Sequence, residues 1–169
     1  MRRIALLLLS VVSLSACGAR PFRPQEYPLR SGLITSFSVA GPVTVSNVQP
    51  AVEPVTVSSY GGNSLTSSLK DVTEVMAQQM REEIGKNGKV NAAGAPKAVS
   101  LKVNSLVSKY IAFYFKSTIE FDVTVGDGQV IQETVHHSSG VLPQDLDGCI
   151  AEGVMTALND PRIRAYLAN

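Results

Sequence analysis

The side chains of this 169-residue chain best suited to bond-making are two cysteines, two histidines and a pair of neighbouring carboxylates. Cys149 shares helical spacing with Leu146 and Ile150, so it falls on an apolar stripe and reads as a small buried hydrophobe. A nucleophilic thiol would need a histidine and an electropositive setting. The only histidines, His136 and His137, belong to a different element. As neighbours on a strand they point to opposite faces, and no third ligand stands at a metal-binding spacing, so no metal site is expected. Glu120 and Asp122 share one strand face and are the right types for an acid–base pair, although charges on a wet face need no such role. Phosphate-cradling glycine motifs and a G-x-S-x-G elbow are both missing from the sequence. Gly126-Asp127-Gly128 is too short for a nucleotide loop and reads as a hairpin turn. No cofactor is expected.

Cys17 sits in a different context. Arg2 and Arg3 precede an apolar run from Ile4 to Leu14, and small residues then lead into the cysteine. A charged start, a short apolar core and a small-residue exit make a secretory signal, too short to span a bilayer. Leu14-Ser15-Ala16-Cys17 resembles the bacterial lipobox. That resemblance implies cleavage before Cys17, lipidation of its thiol and a membrane anchor. Gly18 in place of aspartate implies the outer membrane, periplasmic side. Stable anchoring takes two or more acyl chains, each buried CH₂ contributing about 0.8 kcal/mol.

Three parts follow: a lipoprotein signal over residues 1–16, a lipidated Cys17 with a proline-rich tether over 17–32, and one domain over 33–169. Without Arg2 and Arg3, 13 basic residues face 14 acidic ones. Such a balance gives no basic face for nucleic acid. Pro21, Pro24 and Pro28 predict an extended tether of roughly 45 Å, either a solvated linker or one with Arg20, Arg23 and Arg30 over anionic headgroups.

The elements that hold these groups are legible from periodicity. Leu33–Ala40, Val43–Val48 and Val55–Val57 read as short edge strands, limited by Pro42 and Pro50. Leu65, Leu69, Val72, Met76, Met80 and Ile84 form a helical stripe, capped by Asn63 or Ser64 and stopped at Asn87-Gly88 by a left-handed turn. Val99–Val107 alternates as a half-buried strand. Ile111–Val125 keeps one parity, predicting a single strand of roughly 50 Å with Phe113 and Phe121 both inward, bulged or bent near Lys116–Thr118. Val130–His137 returns beside it, with Glu133 marking either a register-shifting bulge or an inner face already wet. Leu146, Ile150, Val154 and Leu158 mark a second helix, and Asp160-Pro161 starts a short terminal one.

One-sided strands alongside one-sided helices predict an α+β two-layer sandwich, mainly antiparallel, with two main helices on one face. The lipobox, the helix with Met76 and Met80, the long strand with its hairpin and the ending from Ala157 to Leu167 together resemble the YajG-like bacterial lipoproteins. The resemblance implies a small envelope protein with no catalytic residues to carry over. The chain is therefore expected to be a non-catalytic, lipid-anchored binding or scaffold module. Its expected partners are the membrane, through acylated Cys17, and an envelope protein or a second copy. The expected docking surface is the open strand face around Tyr114, Lys116 and Glu120, or a sheet edge that takes up a partner's strand. The competing readings are an accessory of a lipid or lipopolysaccharide transport system and a hydrolase using Cys149 or Glu120/Asp122.

Overall fold

The computed structural model describes residues 18–126 and 128–169. Cys17, the signal segment and Asp127 lie outside the described residues. The fold is α+β. Strands β1 (Ala19–Pro21), β3 (Val43–Asn47), β4 (Pro54–Tyr60), β5 (Asn63–Ser68), β7 (Lys97–Ile111), β8 (Tyr114–Val125) and β9 (Val130–Ser139) make one sheet, while β2 (Phe37–Val39) pairs with β6 (Gly88–Val90) beside it. The main sheet runs β1-β5-β4-β7-β8-β9, with β3 also on β7. It is mixed. The β4–β5, β7–β8 and β8–β9 pairs are antiparallel, and β1–β5, β3–β7 and β4–β7 are parallel.

Helices α1 (Leu69–Asn87) and α2 (Leu142–Asn159) cover one sheet face, and α3 (Pro161–Ala168) closes the end of that layer. Val72, Met76, Met80 and Ile84 of α1 and Leu146, Ile150, Val154 and Leu158 of α2 meet Leu101, Val103, Ile119, Phe121 and Val123 in one core. Burying such side chains contributes about 1.5–3 kcal/mol each. Asp160 caps α3 through the N–H groups of Arg162 and Ile163, with Pro161 in the first turn. Ile163 and Leu167 are its buried pair.

Several sequence-based expectations change. The first helix begins at Leu69, capped by Ser68, and Leu65 lies in β5. Leu65 is one helical step from Leu69, so periodicity alone ran the stripe through the end of a strand. Gly88 is extended, with φ −85°, and opens β6 instead of a left-handed stop. A glycine is still required there, because a Cβ would stand 2.6 Å from the Ile84 carbonyl oxygen.

The predicted 50 Å strand is two strands. Ile111 ends β7 and pairs with Tyr114 across a two-residue turn in which Ala112 takes φ +56°. Phe113 is consequently at the tip of the turn and 91% exposed, not inward. In β7 an extra residue, Asn104, lies between the pairs Val103–Phe121 and Ser105–Glu120. After this bulge the inward parity switches, so Leu106 and Ser108 are buried and Val107 is exposed. The bulge is held from both sides. The Val103 N–H donates to Thr73 of α1, and its carbonyl accepts from the Gln49 side chain.

The segment expected to be a tether belongs to the folded body, which starts at Ala19, not at residue 33. β1 pairs with β5, and Phe22 is buried. The chain then straps across the helical layer. The Gln25 N–H donates to Asp147, Gln79 donates to the Tyr27 carbonyl, and Asn159 donates to the Leu33 carbonyl. Arg164 donates to both the hydroxyl and the carbonyl of Thr35. Phe22, Leu29 and Ile34 supply the apolar contacts that dock it.

Candidate functional site

The face opposite the helices is open, as the strand parity implied. Lys102, Lys109, Lys116 and Glu120 are exposed on it, with Asp122 half-buried beside them. The central strands curve it into a shallow hollow of about 430 Å³ lined by Ser105, Lys109, Lys116, Thr118, Glu120 and His136 among others. Two cross-strand pairs brace it. Ser105 donates to Glu120 at 3.1 Å, and Thr118 hydrogen-bonds His136 Nδ1 at 2.9 Å. Lys109 and Lys116 stand directly opposite each other, a like-charge pairing that costs stability on a sheet. Lys102 opposite Asp122 is the favourable version. Of the expected docking residues, Lys116 and Glu120 line the hollow. Tyr114 lies farther along the strand, beside the β7–β8 turn.

Glu120 and Asp122 do share this face, but each is tied to the sheet: Glu120 to Ser105, and Asp122 opposite Lys102. One Asp122 oxygen is buried without a hydrogen bond.

Cys149 lies on the other side of the sheet and is fully buried. Desolvation pushes its thiol up to about 12, and the charges of Asp145 and Glu152 add to the effect. Its sulfur faces the Val135 carbonyl at 3.8 Å. His136 and His137 point to opposite faces, as a strand requires. His137 turns to the helical side and meets Glu152 at 2.8 Å. Gly148 makes room for this imidazole, since a Cβ there would lie 2.5 Å from Nε2. The pair borders a groove of about 470 Å³ between α2 and the strap at Tyr27, Pro28, Leu29 and Leu33. Among the described residues, no set of three His, Cys, Asp or Glu side chains could hold a metal ion. No helix among them is long and apolar enough to cross a membrane.

Sequence reasoning missed two polar clusters. Asp145, in the first turn of α2, is fully buried and accepts from Ser108 at 2.7 Å and from Ser117. Its helical position was visible, but its partners depend on the Asn104 bulge, which turns Ser108 inward. The second cluster joins Glu133, the wet inner position of β9, to Arg162 at 2.9 Å, and Arg162 to Asp160. The Arg162 guanidinium holds the Asp160 carboxyl down to about 2. Desolvation and the neighbouring Asp160 raise Glu133. A charged residue at an inward strand position was the available signal.

No protein-family model matches the chain, and no curated protein matches it.

Proposed function

We propose that this chain is a lipid-anchored, periplasm-facing lipoprotein of a bacterial outer membrane, acting as a binding or scaffold module for another envelope component and not as an enzyme. With no family model behind the YajG-like resemblance, the reading rests on the chain's own residues. The anchor rests on the Arg-Arg start, the short apolar run and the Leu14–Cys17 motif. The observation that carries the binding role is the open hollow. It gathers Lys109, Lys116, His136, Thr118 and Glu120 on strands whose other face contributes Leu101, Val103, Ile119, Phe121 and Val123 to the core. A paired lysine couple costs the sheet stability, and an anionic group on a partner offsets that cost. The hydrolase alternative has little to build on. The Cys149 thiol is buried and pushed up to about 12, whereas reactive cysteines are partly exposed with lowered values.

Two measurements test the halves of this reading. Cys17→Ser should leave unprocessed or mislocalised protein on membrane fractionation, and normal maturation would remove the anchor. In intact cells, a photoreactive residue at Glu120 should give a discrete adduct, and one at Glu74 on the exposed side of α1 should not. Adducts from Glu74 alone would move the docking surface to the helical layer.

A further inference from the structure

The described chain begins at an informative place. β1 is parallel to β5, with Ala19 opposite Ser64. β5 returns antiparallel along β4, with Asn63 opposite Tyr60, and β4 is parallel to β7, with Ser58 beside Ser108. Followed strand by strand, this register puts Gly18 level with the β4–β5 turn and with the β7–β8 turn. β9 ends at the same level, with Ser139 opposite Phe115. Gly18, both turns and the approach to α2 therefore share one end of the sheet.

That end is also the most apolar exposed region. Six of the fourteen large apolar or aromatic side chains exposed among the described residues gather there: Tyr60, Tyr110, Ile111, Phe113, Tyr114 and Val141. Phe113 is the most exposed of all. Tyr60 and Tyr110 pack with ring centres 4.2 Å apart and planes tilted by 40°, and Phe115 closes the cluster. A short step down the strands stand the cations Arg20, Lys109 and Lys116, none of them in an ion pair with a described residue. The nearest exposed carboxylate on these strands, Glu120, is four residues from Lys116 and occupied by Ser105. From the tip downward the order is apolar side chains, a tyrosine collar, then lysine and arginine. A bilayer presents the matching order: hydrocarbon, an interface that favours aromatic rings, and an anionic surface.

We propose that this end of the sheet is a membrane-contacting face, with the β7–β8 turn dipping Ile111 and Phe113 into an anionic bilayer. The proposal rests on the reading of Cys17 as the lipid anchor. Ala19 is already fixed in the sheet, so Cys17 is separated from it by about 7 Å of chain at most. Acyl chains on Cys17 enter the bilayer beside this end of the sheet and nowhere else on the molecule. β1 and β7 are three strands apart, about 14 Å, so anchor and tip share one patch of membrane. The sheet then stands on the bilayer, its hollow facing sideways and open to a partner.

An environment-sensitive fluorescent amino acid at position 113, or at Val130 at the opposite end of β9, tests this in the acylated full chain. The protein is reconstituted in vesicles of phosphatidylethanolamine and phosphatidylglycerol carrying an acyl-chain nitroxide quencher. The expected result is a blue shift and strong quenching at 113, neither at 130, and loss of quenching at 113 on adding Lys109→Glu and Lys116→Glu. Equal behaviour at the two positions overturns the proposal. So does a blue shift at 113 without lipid quenching, which would place another protein or a second copy against the tip. The anchor fails separately, if the intact mass shows Cys17 without acyl chains. Quenching at 113 then still decides the tip, through vesicles added to the unacylated protein.

Discussion

Along β7 and β8, Val99, Leu101 and Val103 stand opposite Val125, Val123 and Phe121, and all six are shut from water under the helical layer. Toward the other end of the same two strands, Ser108 stands opposite Ser117 with Asp145 between their hydroxyls, and Tyr110, Ile111, Phe113 and Tyr114 then reach solvent. One stretch of the ladder is aliphatic and enclosed, and the other is polar inside and aromatic outside. The changeover comes beyond the Asn104 bulge, after the enclosed Leu106–Ile119 pair. The pairing of the strands does not weaken there; what covers them changes. Burial is concentrated where α1 and α2 both lie over the sheet, and the tip is left exposed.

The largest expected difference between the two ends is in side-chain truncation. Phe121→Ala should cost about 3–5 kcal/mol in urea unfolding, because it opens a cavity in a closed core. A much smaller loss would mean that the enclosed end is not the stable one. Next comes the polar node. Asp145→Ala leaves the buried hydroxyls of Ser108 and Ser117 without their acceptor and should cost about 1–3 kcal/mol. Adding Ser108→Ala and Ser117→Ala in that background should recover much of the loss, since an apolar trio leaves nothing unsatisfied. Additive losses would show that the three do not act as one unit.

A pH titration gives a smaller effect. Asp160 is held at about 2 in the fold against an ordinary 3.8. Its folded value is the lower one, so the stability it lends is complete above 3.8 and is lost as pH falls toward 2. Asp160→Asn keeps the helix cap, and the stability gap to the parent protein should be constant near neutrality and close across that window. Glu133, raised in the fold, works in the opposite sense, so a gap that widens in acid would assign the control to Glu133. The smallest effect is at the tip. Phe113→Ala should change stability by no more than about 0.5 kcal/mol, as exposed surface positions do. A loss comparable to that of Phe121→Ala would show that the ring is packed against the body.

The sequence disclosed the enclosed end better than the tip, for physical reasons. Val72, Met76, Met80, Leu146, Ile150 and Val154 repeat at helical spacing because each helix buries one stripe, so the α+β layering was legible. The β7–β8 turn was not. It carries alanine at the positive-φ position, where glycine or asparagine would mark a hairpin, and Ile111, Phe113 and Phe115 keep one parity straight through it. The bulge at Asn104 likewise has no marker residue, which hid the inward turn of Ser108 and with it the Asp145 cluster. In the strap, the prolines pointed to a segment outside the core. What they concealed is that Phe22 and Ile34, a few residues either side, dock that backbone on the helices. The open face was legible as alternating charge, whereas its curvature into a hollow belongs to the twist of the assembled sheet.

The strap also sets an order of events in time. Its hydrogen bonds to Asp147, Asn159 and Arg164 join residues 122, 126 and 129 positions apart in the chain. Contacts between such distant residues form late, because the intervening chain must be ordered first. The strap therefore cannot lock until the last helix has emerged and folded. Until then β1 on β5 and the Gln79 bond to Tyr27 hold only the first part of this segment. Docking of residues 25–35 is complete only when α2 and α3 present Asp147, Asn159 and Arg164 together.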